Sequence, residues 1–144
     1  MRMVLLAGVA LVLLAGCGDD DGGGGGGEPA ARLTGPVTYE RGGGIAARRD
    51  RLVVQPDGSA KLTVQNATKS IRLTDAELAR LGRELDQADL ASVPRNSVSK
   101  EPVPDAFGYR VIYGGATVTT DDPAMSDRLR GLVSGLGALV ERYE

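Results

Sequence analysis

The sequence predicts an α+β fold: a small single domain in which an antiparallel sheet of four to six strands carries two helices on one face. Three observations lead there. Short stretches of alternating apolar and polar residues are separated by recognisable turn chemistry. Two longer segments carry apolar residues, mostly leucine, at helical spacing. Their order is strands, helix, strands, helix, and one sheet then covers both apolar stripes.

Val37-Thr38-Tyr39-Glu40 is the first alternating strand, and Arg41-Gly42-Gly43-Gly44-Ile45-Ala46-Ala47 breaks it. Residues 49–54 read as a second strand. Pro56-Asp57-Gly58-Ser59 is a turn, with proline presetting φ and glycine taking the positive φ. In residues 60–65, Leu62 and Val64 alternate with Lys61, Thr63 and Gln65, which gives a third strand. Asn66-Ala67-Thr68 matches a glycosylation acceptor but reads as a turn, followed by a short strand over residues 70–73.

Thr74 and Glu77 have the spacing of a capping box. Leu78, Leu81 and Leu85 share one face of the helix that follows, while Arg80, Arg83, Glu84 and Asp86 face away, and the helix should end near Ala88. Pro94, Pro102 and Pro104 make residues 91–106 a loop. Phe107, Tyr109, Val111 and Tyr113 then alternate with Gly108, Arg110 and Ile112, a strand with one strongly apolar face. Gly114-Gly115 suits a two-residue hairpin turn into residues 116–120. Asp122-Pro123 is expected to open the last helix as N-cap and first helical residue. Its apolar stripe is Met125, Leu129, Leu132, Leu136, Leu139 and Val140. Gly131, Gly135 and Gly137 each weaken that helix by about 1 kcal/mol relative to alanine, and either let it lie close on the sheet or reflect composition.

Composition narrows the function classes. The chain has no histidine, which removes Ser-His-Asp and Cys-His catalysis and imidazole-ligated zinc. Paired carboxylates remain formally open, but there is no tryptophan, and one Phe and four Tyr cannot line a sugar cleft and fill a core. Asp86, Asp89 and Asp105 have no spacing that specifies an acid/base pair. No catalytic residue, metal site or small-molecule cofactor is expected, and the chain reads as a non-enzyme. Leaving out Arg2 keeps 16 of the 17 basic residues, and leaving out Asp19, Asp20, Asp21 and Glu28 keeps 15 of the 19 acidic ones. That near balance indicates no nucleic-acid partner.

The N-terminus carries its own signal. Arg2 precedes an apolar run from Met3 to Gly16, too short for a membrane span of about 20 residues but right for an export signal. Leu13-Leu14-Ala15-Gly16-Cys17 resembles the lipobox of bacterial lipoproteins. The resemblance implies that residues 1–16 are removed as a signal peptide and that Cys17 is diacylated through sulfur. One acyl chain holds a protein only marginally, whereas two or three make attachment effectively permanent. The protein is then expected to be exported and anchored to the cell membrane on its extracytoplasmic side, or to the outer membrane of an organism that has one. Cys17 is the only cysteine, so no disulfide is available. Residues 17–31, with three aspartates and the run Gly22 to Gly27, read as a disordered tether of roughly 20 Å root-mean-square span. No Lys-Ser/Thr follows the glycines, so they do not make a phosphate loop. Residues 32–144 are the folded domain.

Val37-Thr38-Tyr39-Glu40-Arg41-Gly42-Gly43-Gly44-Ile45-Ala46-Ala47-Arg48 resembles the opening of the emfourin (protealysin-inhibitor) family. The later order is also similar: hairpin, capped leucine-rich helix, Asp105 to Tyr109 leading a strand, a threonine-rich strand, Asp-Pro and a leucine-rich helix. The chain departs at Ala47, where a glycine is expected, and in its lipid anchor. The resemblance implies a small protein inhibitor of secreted thermolysin-like metalloproteases. The alternative is a non-inhibitory structural or protein-interaction lipoprotein of the bacterial envelope.

The candidate partner-contact segment is Gly42, Gly43, Gly44 and Ile45. Its glycines serve either backbone geometry in the sheet or the close approach of a protease cleft, with Ile45 filling an apolar pocket. Three other groups have plainer readings: core packing for Tyr39, Phe107, Tyr109 and Tyr113, helix capping for Asp121 and Asp122, and a solvated strand face for Arg48, Arg49 and Arg51.

Overall fold

The computed structural model describes residues 32–101 and 103–144. The expected signal peptide, the lipidated Cys17 and the tether lie outside the described residues. Seven strands and two helices follow: β1 (Val37–Gly43), β2 (Arg48–Val54), β3 (Ser59–Val64), β4 (Ala67–Arg72), α1 (Asp75–Ala88), β5 (Asn96–Ser97), β6 (Phe107–Tyr113), β7 (Ala116–Asp121) and α2 (Asp127–Tyr143). They form one sheet in the order β4-β3-β2-β1-β6-β7-β5, antiparallel except where β5 runs parallel to β7. The α+β class and the helix pair hold. The strand count exceeds the expected four to six by one short edge strand.

β1 is the central strand, and strand alternation explains where the core lies. One row of paired residues, Leu62–Leu52–Tyr39–Val111–Val118, crosses five strands and is wholly buried. Leu81 and Leu85 of α1, with Leu129, Leu132, Leu136 and Val140 of α2, close over that face. The core draws on residues from Leu33 to Val140, so the stretch 32–144 contains what it needs to fold. No helix among the described residues is long and apolar enough to cross a membrane.

The local rules hold where side chains act on their own neighbours. Thr74 Oγ1 accepts from the Glu77 amide while the Glu77 carboxylate accepts from the Thr74 amide, and Asp89 in the left-handed region ends α1. Gly114 and Gly115 both have positive φ, as a tight hairpin turn requires. Gly58 also takes positive φ, and Asp57 accepts from the Ser59 amide.

Four expectations are corrected. The break after the first strand is shorter, because β1 continues through Gly43 and only residues 44–47 turn. The turn between β3 and β4 is Gln65-Asn66, so pairing resumes at Ala67. The stretch 91–106 is not all loop: Leu90 and Val93 are buried, and the Arg95 carbonyl accepts from the Thr119 amide at 2.8 Å to start β5. Finally, Asp122-Pro123 does not open α2, whose N-cap is Ser126. The Asp122 carboxylate is taken by the Phe107 amide (2.8 Å) and the Tyr109 hydroxyl (2.7 Å), and Asp121 by Ser99 and the Ala124 amide. Gly137 faces the sheet beside Tyr39 and Arg41, whereas Gly135 lies under the Glu84 carboxylate of α1 and Gly131 meets nothing.

Glu77 ties the helix pair together, since it also accepts from the Tyr143 hydroxyl at 2.8 Å and pairs with Arg142. Burial opposes its charge, but the bonds from Thr74 and Tyr143 outweigh burial and hold its carboxyl below the ordinary range. A depressed folded pKa contributes stability above the unfolded value of about 4.3, lost as pH falls through the folded one. Glu77→Gln should therefore cost about 1 kcal/mol at neutral pH and flatten the loss of stability below pH ~4, read by urea unfolding across pH.

Candidate functional site

The β1–β2 hairpin is built on a buried charge cluster. Arg41 and Asp50 are register partners on the helix-facing side of the two strands. Asp50 is fully buried, and its Oδ2 accepts from Arg41 Nε at 2.8 Å and from Arg48 Nε at 2.7 Å. Arg41 Nη1 reaches Glu141 of α2 at 3.4 Å, and Arg48 pairs with Glu144 beyond its end. Burial works against the Arg41 charge, but the bonds and charges of Asp50, Tyr39 and Glu141 together outweigh it and hold the guanidinium above its ordinary range. A buried ion is costly unless paired and hydrogen-bonded, so these partners fix one another's geometry.

Packing next to the turn is equally restrictive. Gly43 has φ +117°, and a Cβ there would stand 2.5 Å from the Ala106 carbonyl oxygen. Gly44 has φ +69°, and its Cβ would stand 2.7 Å from the Phe107 ring. The Gly44 amide donates to Ala106 O at 3.3 Å, and the Ala47 amide to Gly44 O at 3.0 Å. The Arg41 guanidinium lies 5.4 Å from the centre of the Phe107 ring. Ala47 itself has φ +46°, a left-handed position costing a non-glycine residue about 1–2 kcal/mol. The resemblance expects a glycine at that position. On this base stands Ile45, 88% exposed.

The segment named from sequence is therefore divided. Gly43 and Gly44 are demanded by packing, Ile45 is the apex, and Gly42 lies within the sheet on the face turned away from the helices. Sequence reading missed that the loop before β6 stands beside the turn. Among the described residues the large exposed hydrophobics are Ile45, Val98 and Val103, the last two half-exposed. All three leave the sheet at one end: Gly43 pairs with Phe107, the Ala106 amide donates to Val103 O, and Ser99 is bonded to Asp121 opposite Gly108. Valines in a proline-rich stretch without strand or helix period were the available signal.

The remaining groups divide by alternation and burial. Tyr39 is buried, its ring 6.3 Å from that of Tyr109, which is also 6.3 Å from Phe107. Burial pushes the Tyr39 hydroxyl up to about 12, and burial with the Asp122 bond raises Tyr109. Arg48 points to the helix side while Arg49 and Arg51 point to the open face, so the three do not form one basic patch. Asp89 caps α1, whereas Asp105 lies in the turn before β6 with φ +68°. Among the described residues no group of three or more carboxylate, thiol or imidazole side chains is placed to hold a metal ion. No protein-family model and no curated protein matches this chain.

A rigid base under a free apex has a mutational signature. Asp50→Ala should destabilise the domain by about 3–5 kcal/mol by stranding Arg41 and Arg48. Ile45→Ala should change stability by less than ~0.5 kcal/mol. Denaturant unfolding of the two variants checks both.

Proposed function

We propose that the protein is a lipid-anchored extracytoplasmic binding module that inhibits a thermolysin-like metalloprotease through the turn at residues 44–47. The observation that supports this reading is Ile45, an aliphatic side chain 88% exposed on a base fixed by Arg41, Asp50 and Phe107. A water-exposed isoleucine gains nothing for the fold, and burying it in a partner's pocket would contribute about 2 kcal/mol. Gly44 and Ala46 on either side let the backbone approach a cleft closely. The turn is held in shape before it binds, so little ordering entropy is lost on association. Val98 and Val103 at the same end extend the apolar contact. An acylated Cys17 would hold this module at the cell surface, where a secreted protease is met.

The second reading is a protein-interaction lipoprotein of the envelope without inhibitory action. It is favoured by the cationic open face of the sheet, which the inhibitor reading leaves unused. Assaying the stretch 32–144 against a thermolysin-like protease separates the two. The inhibitor reading expects slow, tight inhibition without cleavage, weakened by about 30-fold or more in Ile45→Asp, the loss typical of a binding hot spot. Unaffected protease activity, or digestion of the domain, contradicts it. An undiminished effect of the Asp variant removes the turn from the site.

A further inference from the structure

Alternation puts Glu40 and Gly42 of β1, Arg49 and Arg51 of β2, and Gly108 and Arg110 of β6 on the sheet face turned away from the helices. A trench of about 650 Å³ lies there, with the cross-strand pair Gly42–Gly108 as its floor. The fold demands neither glycine. A Cβ at either position would meet nothing closer than a backbone oxygen at 3.8 Å, an ordinary contact, and neither has positive φ. Glycine inside a strand usually marks a bulge, a bend or the close approach of another molecule. Pairing runs unbroken through both residues, which removes the bulge. That leaves a bend or the close approach of another molecule, and the open floor of the trench suits the second.

The walls of the trench are cationic. Arg51 lies 3.3 Å and Arg110 3.8 Å from the single carboxylate of Glu40, and Arg49 has no carboxylate partner among the described residues. Asp121 at the rim is occupied by the Ser99 amide and hydroxyl and the Ala124 amide. Those donors are neutral and leave the Asp121 charge in place, so three guanidiniums face two carboxylates, a net positive charge on the trench wall. The lining runs from Thr63 of β3 to Thr119 of β7, five adjacent strands. At about 4.8 Å per inter-strand step this is ~19 Å, the length of about six extended residues at 3.3 Å each.

We propose that the trench binds an extended acidic peptide segment of a partner protein, its backbone over Gly42 and Gly108 and its carboxylates on Arg49, Arg51 and Arg110. Guanidinium forks pair bidentately with carboxylates. A floor without side chains accommodates a strand that brings its own. Val98 at the rim offers an apolar contact for a residue between the acids. The site shares Val98 with the surface of the inhibitor reading but does not use the turn at residues 44–47 and does not rest on that reading.

The test is an amide-shift titration of the stretch 32–144 with a six-residue acetylated and amidated peptide alternating aspartate and valine, beside its asparagine counterpart. Saturable shifts centred on Gly42 and Gly108, seen only with the acidic peptide, are expected. Gly108→Val should keep or raise the melting temperature and weaken binding at least tenfold. Arg49→Glu should weaken it at least as much and decides the matter if Gly108→Val does not fold. Absent or non-saturable shifts, equal binding of the asparagine peptide, or undiminished affinity in Arg49→Glu overturns the proposal. So does tighter binding of inorganic polyphosphate or of vesicles of anionic phospholipid at the same residues.

Discussion

The Asp50 carboxylate, sealed from water between Arg41 and Arg48, is the interaction on which the geometry of this domain depends. It joins the central strand to β2 just where the two approach their turn. Through Arg41 to Glu141 and Arg48 to Glu144 it also ties the hairpin to α2 and its C-terminal end. Taking such a carboxylate out of water is unfavourable by several kcal/mol, and only the two guanidiniums offset it. The arrangement contributes specificity of geometry more than net stability. Asp50 Oδ1 and the Tyr39 hydroxyl remain buried without hydrogen-bond partners, a local cost that the surrounding leucine core outweighs.

From that anchor the sheet presents three different surfaces. The helix side is a closed apolar layer centred on the row from Leu62 to Val118. The end beyond Gly43 and Phe107 is a small apolar tip, with Ile45 standing free of its own core. The side away from the helices is a polar face with arginines around a bare two-glycine floor. An antiparallel sheet needs only one face covered, so the other two surfaces are available for partners.

Much of the fold was legible because it depends on nearest neighbours. Thr74 and Glu77 announce α1, Gly114-Gly115 announces the β6–β7 turn, and alternation from Phe107 to Tyr113 places a strand with its aromatics toward the core. What stayed hidden depends on residues far apart in the chain. Asp122 looked like a helix cap and became a strand staple because the Phe107 amide and Tyr109 hydroxyl, brought in by the fold, use its carboxylate. β5 has no period of its own and exists because Thr119 and Thr120 offer partners. The glycine run could be named as a site but not divided: the Ala106 carbonyl and the Phe107 ring demand Gly43 and Gly44, while Gly42 faces the other way.

The central claim is that the turn at residues 44–47 is held rigid from below while its apex stays free. Native-state hydrogen exchange of the Gly44 and Ala47 amides, which donate to Ala106 O and Gly44 O, tests it most directly. If the base is rigid, both amides exchange only through global unfolding, at the same free energy as Leu52 in the core. Exchange of either through a local opening several kcal/mol cheaper than unfolding would contradict the account.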